Sequence, residues 1–163
     1  MRELARRAKV SHNAPYRHFP DRESLLAALA TQGFADLGRA QQDARERGGL
    51  RAMGEAYVRF ALERPQRFRL MFGGAVAIAR HPALRAVATR VFDGLAGALA
   101  AQVPEAQSAR DASIAAWALV HGLTLLLLGE RISAGALRGR ERDAFVRDVL
   151  SAVRFVARRP QPA

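Results

Sequence analysis

Apolar residues recur along this chain at intervals of three and four, the spacing of one helix face, and no stretch alternates as a strand would. Leu26, Leu29, Ala30, Gly33 and Leu37 define such a face on a helix beginning near Asp21. Met53, Tyr57, Phe60 and Ala61 define another, over 50–63, which must stop before Pro65 because the residue preceding a proline is pushed out of helical geometry. The longest stripe is Leu84, Val87, Ala88, Val91, Leu95, Ala98 and Leu99, on a helix spanning 82–101. Val146, Val149, Leu150, Val153 and Val156 make the last one. Between these lie short breaks rich in Gly, Pro or polar residues: RERGG at 45–49, FGG at 72–74, VPEAQS at 103–108 and SAGALRG at 133–139. The pattern predicts an all-α fold.

The helix expected over 108–130 differs from the others in being apolar nearly all round. Such a helix must be buried on most sides, and in so short a chain a second copy of itself is one way to cover it. Its longest apolar run, Ile114 to Leu128, carries His121 and is too short for a bilayer span. No membrane partner is expected.

Composition narrows the chemistry. Cysteine is absent from the 163 residues, which excludes a disulfide scaffold, a thiol nucleophile and a thiolate metal site. His12, His18, His81 and His121 show no metal-ligand spacing, and no nucleophile–base–acid arrangement stands out, so neither a metal, a cofactor nor an enzyme is expected. The net charge is +11, and a balance of that sign favours a polyanion, nucleic acid first. The start, MRELARRAKVS, lacks the apolar core of a signal peptide, and the expected location is the cytoplasm.

The segment 2–29 carries the most specific pattern. RELARRA makes a short helix, Lys9-Val10 a tight turn, and Ser11 stands where an N-cap is wanted. On the helix that follows, His12 and Tyr16, and likewise Asn13 and Arg17, are neighbours one turn apart and make one polar face. Phe19 is read as core. Helix, tight turn and a second helix with polar groups near its start is the helix-turn-helix layout, although pattern alone fits two ordinary surface helices equally well.

The wording of the segment goes further. "LARRAKVSHNAPYRHFPDRESLLAAL" resembles the DNA-binding region of the TetR family of transcriptional regulators, with Leu4, Ala5, Ala8, Val10, Ser11, Tyr16, His18, Phe19, Arg22 and Leu25 in register. "YVRFALERPQRFRLMFGG" and "WALVHGLTLLL" resemble the family's C-terminal domain class named for its Trp, His and Gly, here Trp117, His121 and Gly122. Two departures stand out. Lys9 occupies a turn position where the family usually has glycine, and the family's first helix, which precedes the equivalent of Arg2, is missing from this sequence.

The resemblance implies an architecture and roles. A truncated helix-turn-helix region with its linking helix would occupy 1–45, a helical effector-binding and dimerisation domain 46–159, and a disordered tail 160–163. His12, Asn13 and Arg17 would read base edges of double-stranded DNA, Asn13 suiting adenine and Arg17 guanine. Ser11, Tyr16, His18 and Arg22 would hold phosphates, with Arg2 and Lys9 beside them. Tyr57, Phe60, Met71, Phe72, Val91, Leu95 and Trp117 would line a cavity for a hydrophobic small-molecule effector. His121 reads first as a hydrogen-bonded core or interface histidine and second as a ligand contact. The function implied is a ligand-responsive regulator, most often a repressor, that binds a palindromic operator as a homodimer. The alternative is a dimeric small-molecule-binding module without effective DNA binding, because the first helix is absent.

Overall fold

The structure, a computed structural model, describes Arg6, residues 18–103 and residues 106–155. Among the described residues there is no strand, and the all-α expectation holds. The helices are α1 (Arg22–Glu63), α2 (Pro65–Phe72), α3 (Pro82–Ala100), α4 (Ala106–Leu128), α5 (Ala134–Leu137) and α6 (Arg142–Ser151), with a 3-10 turn at Ile78–Arg80.

Helix α1 begins where Asp21 caps it. The Asp21 carboxylate accepts the backbone N–H of Ser24 at 2.7 Å, and that bond holds its carboxyl below the usual carboxylate range. Glu23 meets Nε2 of His81 at 3.1 Å, tying the start of α1 to the residue just before α3. The buried stripe of the first arm is Ala27, Ala30, Phe34, Leu37, Gln41 and Ala44, spaced three and four apart. Leu29, expected on that face, is 44% exposed. Small residues hold the inward positions there because the packing is close. A methyl group on Gly33 would come within 2.6 Å of Met71 Sδ, so its absence lets α2 approach.

The expected break at 45–49 falls inside α1, which runs through position 45 and is interrupted at Gly48 and Gly49. Gly49 has φ 66° and ψ −155°, a region essentially open to glycine alone. Past it the second arm runs beside the first, with Ala40 and Ala44 of one arm and Ala52 and Ala56 of the other along a shared groove. The arm ends at Glu63, and Pro65 opens α2, where a missing backbone N–H costs nothing. Arg67 on α2 bonds Asp36 of α1 at 2.8 Å, and Arg39 pairs with the same carboxylate.

On α3 the stripe reads as expected, but its burial is uneven. Leu84, Ala98 and Leu99 near the ends are buried, whereas Val87, Ala88, Val91 and Leu95 in the middle are only partly covered. Helix α4 starts at Ala106, two residues before the expected 108. Its stretch 109–128 is, by length and hydropathy alone, sufficient to cross a membrane, which corrects the shorter estimate from the sequence. One face of it belongs to the core: Ala109, Ser113, Ala116, Val120, Leu123 and Thr124 are buried. The hydroxyls of Ser113 and Thr124 donate to the carbonyls of Ala109 and Val120, each at 2.7 Å, and so cost nothing there. The opposite face is bare, with Ile114, Leu125 and Leu126 about half exposed.

The break at 133–139 contains the single turn α5, capped by Ser133, whose hydroxyl accepts from Ala136 N–H at 3.2 Å. Helix α6 begins at Arg142, before the predicted stripe, and ends at Ser151. It buries Phe145 and Val146 and sets Leu150 against Gly54 of α1, leaving Val153 exposed beyond its end. Val156 and the tail 160–163 lie outside the described residues.

Candidate functional site

The half-covered middle of α3 faces a cleft of about 960 Å³. Phe34, Gln41, Met53 and Tyr57 contribute to it from both arms of α1, Phe72 from the end of α2, and Val91, Phe92 and Leu95 from α3. Ala116, Trp117 and Val120 of α4 and Leu150 of α6 complete the wall. The surface is mostly carbon. Basic groups come from Arg51, already paired with Glu55, and from Arg154. A cavity of this size, lined by aromatic and aliphatic side chains with a few polar atoms, suits a small organic molecule.

Behind the wall sits a knot of rings. Phe34 meets Phe72 edge-on at 5.2 Å between centroids, Phe68 lies 4.7 Å from Phe72, and His121 lies 5.0 Å from Phe72. Tyr57 Oη and His121 Nδ1 are 2.8 Å apart and share a hydrogen bond. Burial lowers the His121 pKa from the ordinary histidine value, which favours the neutral ring, and burial raises that of Tyr57, which keeps its proton. The pair is therefore an uncharged polar link within an apolar cluster.

Of the residues expected to line an effector cavity, the cleft brings together Tyr57, Phe72, Val91, Leu95 and Trp117. Phe60 and Met71 are buried outside it. Phe60 packs under the Arg64 guanidinium at 5.3 Å, and Met71 fills the space opposite Gly33. His121 is partly buried beside Trp117 and hydrogen-bonded to Tyr57, and it is not among the residues that line the cleft.

Gln41, Phe34 and the contribution of α6 escaped the sequence reading. Gln41 was nonetheless signalled. It falls four residues after Leu37 and three before Ala44, a polar residue on an otherwise apolar stripe. Its side-chain oxygen is the one buried side-chain N or O atom among the described residues with no hydrogen-bond partner. Residues from α6 could not be assigned to the cleft in advance, because periodicity names a buried face without saying what it meets.

Of the residues expected at DNA, only His18 and Arg22 are among those described; Arg2, Lys9, Ser11, His12, Asn13, Tyr16 and Arg17 lie outside them. His18 and Arg22 are both exposed, one in the turn before α1 and one at its first position. Phe19 between them is partly buried. Among the described residues, no group of three His, Asp or Glu side chains is arranged to hold a metal ion.

Comparison with known proteins places these features in a family. Residues 50–153 match the model for the tetracyclin repressor-like C-terminal domain, and residues 1–29 match that for bacterial regulatory proteins of the tetR family. No curated protein matches the sequence. A solved structure of a protein of unknown function from Rhodococcus sp. RHA1 is 31% identical, with a TM-score of 0.72 over 93% of this chain and 80% of that one. A second, the crystal structure of SCO4313, is 23% identical, with a TM-score of 0.73 over 92% of this chain and 82% of the other, and shares the fold. The cleft-bearing helical domain is thus preceded by a matched DNA-binding segment, and the chain belongs to the TetR family of transcriptional regulators.

Proposed function

We propose that this regulator is a homodimeric, ligand-responsive repressor that works in the cytoplasm and performs no catalysis. The observation that carries the reading is the sharing of α1. Its first turns fall within the segment matched to the DNA-binding domain, and residues further along both arms form the wall of the cleft. A hydrophobic ligand there acts on the same helix that leads to the operator-binding segment. Its effect is bounded by the difference between its affinities for the DNA-competent and DNA-incompetent arrangements.

The bare face of α4 supports the dimer. Ile114, Ala118 and Leu125 recur at intervals of four and seven on one side of the helix, with Leu126 adjacent. A contiguous apolar surface of this kind on a water-soluble protein marks a contact, and a two-fold pairing gives two recognition helices for a palindromic site. At that site His12, Asn13 and Arg17 read base edges. Ser11, Tyr16, His18 and Arg22 grip phosphates, helped by Arg2 and Lys9. The division between the two parts falls near 45, close to the Gly48–Gly49 interruption.

The test is a mobility-shift experiment with the DNA upstream of the protein's own gene. Retardation of that fragment, but not of a scrambled one, is the expected result. Binding of hydrophobic compounds without any DNA retardation would reduce the protein to a small-molecule-binding module.

A further inference from the structure

The cleft contains one feature that a purely apolar ligand does not explain. Gln41 projects from the buried stripe of α1 and is only 7% exposed, yet its side-chain oxygen has no partner. Among the described residues the other buried polar side chains are accounted for: Ser113 and Thr124 bond their own helix, and Tyr57 bonds His121. Flanking cleft residues on the same arm and the next are Phe34 and Met53, neither of which offers a hydrogen bond. A leucine or methionine would fill this position without stranding an amide, so by packing alone the glutamine is the worse choice.

Resting on the reading of the cleft as an effector site, we infer that Gln41 is its polar anchor and that the effector is an uncharged, largely aromatic molecule carrying a hydroxyl group. The glutamine amide offers an NH2 group that donates and a carbonyl oxygen that accepts, and it can turn about its last torsion to present either. A hydroxyl, which both donates and accepts, is the small neutral group that matches it. The group on offer beside Phe34 and Met53 is the neutral amide; the basic side chains of the cleft, Arg51 and Arg154, belong to other segments, and Arg51 is paired with Glu55. The rings of Phe34, Tyr57, Phe72, Phe92 and Trp117 favour a flat aromatic body over a flexible chain.

The experiment uses two probes that differ in one group, 4-hydroxybiphenyl and 4-methylbiphenyl, titrated calorimetrically into the whole protein and into Gln41→Met. The wild type is expected to prefer the hydroxyl probe by roughly tenfold more than the variant does, the scale of one good hydrogen bond. The ligand-free variant should melt at the same temperature as the wild type or higher, because it loses an unsatisfied buried group. If both proteins bind both probes with the same preference, Gln41 is no anchor, while the effector cleft stands. If neither protein binds either probe, the cleft reading falls and this inference falls with it. A clear drop in the melting temperature of Gln41→Met would show that the amide has a structural partner, which also overturns the assignment.

Discussion

Tyr57 on the second arm of α1 and His121 in the middle of α4 share a hydrogen bond of 2.8 Å across 64 positions of sequence. The bond sits among Phe68, Phe72 and Trp117, where burial works against a charge on the imidazole. A histidine whose pKa is lower when folded binds its proton more readily in the unfolded chain. Its contribution to stability is complete above the unfolded value, about 6.5, and declines as pH falls below it. Thermal melts at pH 7.5 and 5.5 should therefore show a loss at the lower pH that is smaller in His121→Gln. The same loss in both proteins would place the titrating group elsewhere. Tyr57→Phe leaves Nδ1 of His121 unpaired and should cost about 1–3 kcal/mol at neutral pH.

Gly49 makes a separate prediction about the fold. Its φ of 66° with ψ −155° is closed to other residues, and the two arms of α1 depend on it to lie side by side. Gly49→Ala should lower the stability by about 1–3 kcal/mol. That would appear as a lower urea midpoint with an unchanged slope. A variant as stable as the wild type would mean that the arms do not need this reversal.

The bare face of α4 predicts the assembly. Leu127 and Val149 pack toward the core, whereas Ile114, Leu125 and Leu126 face outward. The double variant Leu125→Arg with Leu126→Arg should sediment as a monomer and keep its helical circular dichroism. A dimer that survives both charges pairs through another surface.

At the DNA end the expected effects divide by role. His18→Ala and Arg22→Ala should weaken binding to all duplexes alike, and the Arg22 variant should have a salt dependence shallower by about one unit. Substituting Asn13 or Arg17 should instead change the preferred base, at roughly 1–3 kcal/mol for each base pair. Uniform weakening by the Asn13 or Arg17 variants would reassign them to phosphates.

The long helices were legible because their stripes are long, and Pro65 and Pro82 marked boundaries, whereas the short α2 and α5 carry no stripe and were not read. Ala30 and Gly33 were read on the buried face, but Leu29 was misplaced there in place of Ala27, because a spacing argument favours the larger apolar residue. Tyr57, Phe72, Val91, Leu95 and Trp117 could be named for the cleft because the family resemblance implied a cavity lined by such residues. Phe60 and Met71 met the same criterion, and only the packing distinguishes a wall from a filled interior. Gln41 was visible as an anomaly on its stripe, but its significance depends on the missing partner, which no sequence pattern records.

The central claim is that the cleft and the operator site are coupled. It is tested most directly by titrating a cleft ligand, identified by its effect on Trp117 fluorescence and melting temperature, into the protein bound to fluorescent operator DNA while following anisotropy. The account predicts that the DNA is released as the cleft fills. Leu95→Trp, which narrows the cleft, should bind the same DNA and not respond. Anisotropy that stays constant while calorimetry shows the ligand bound to the wild-type complex would contradict the coupling.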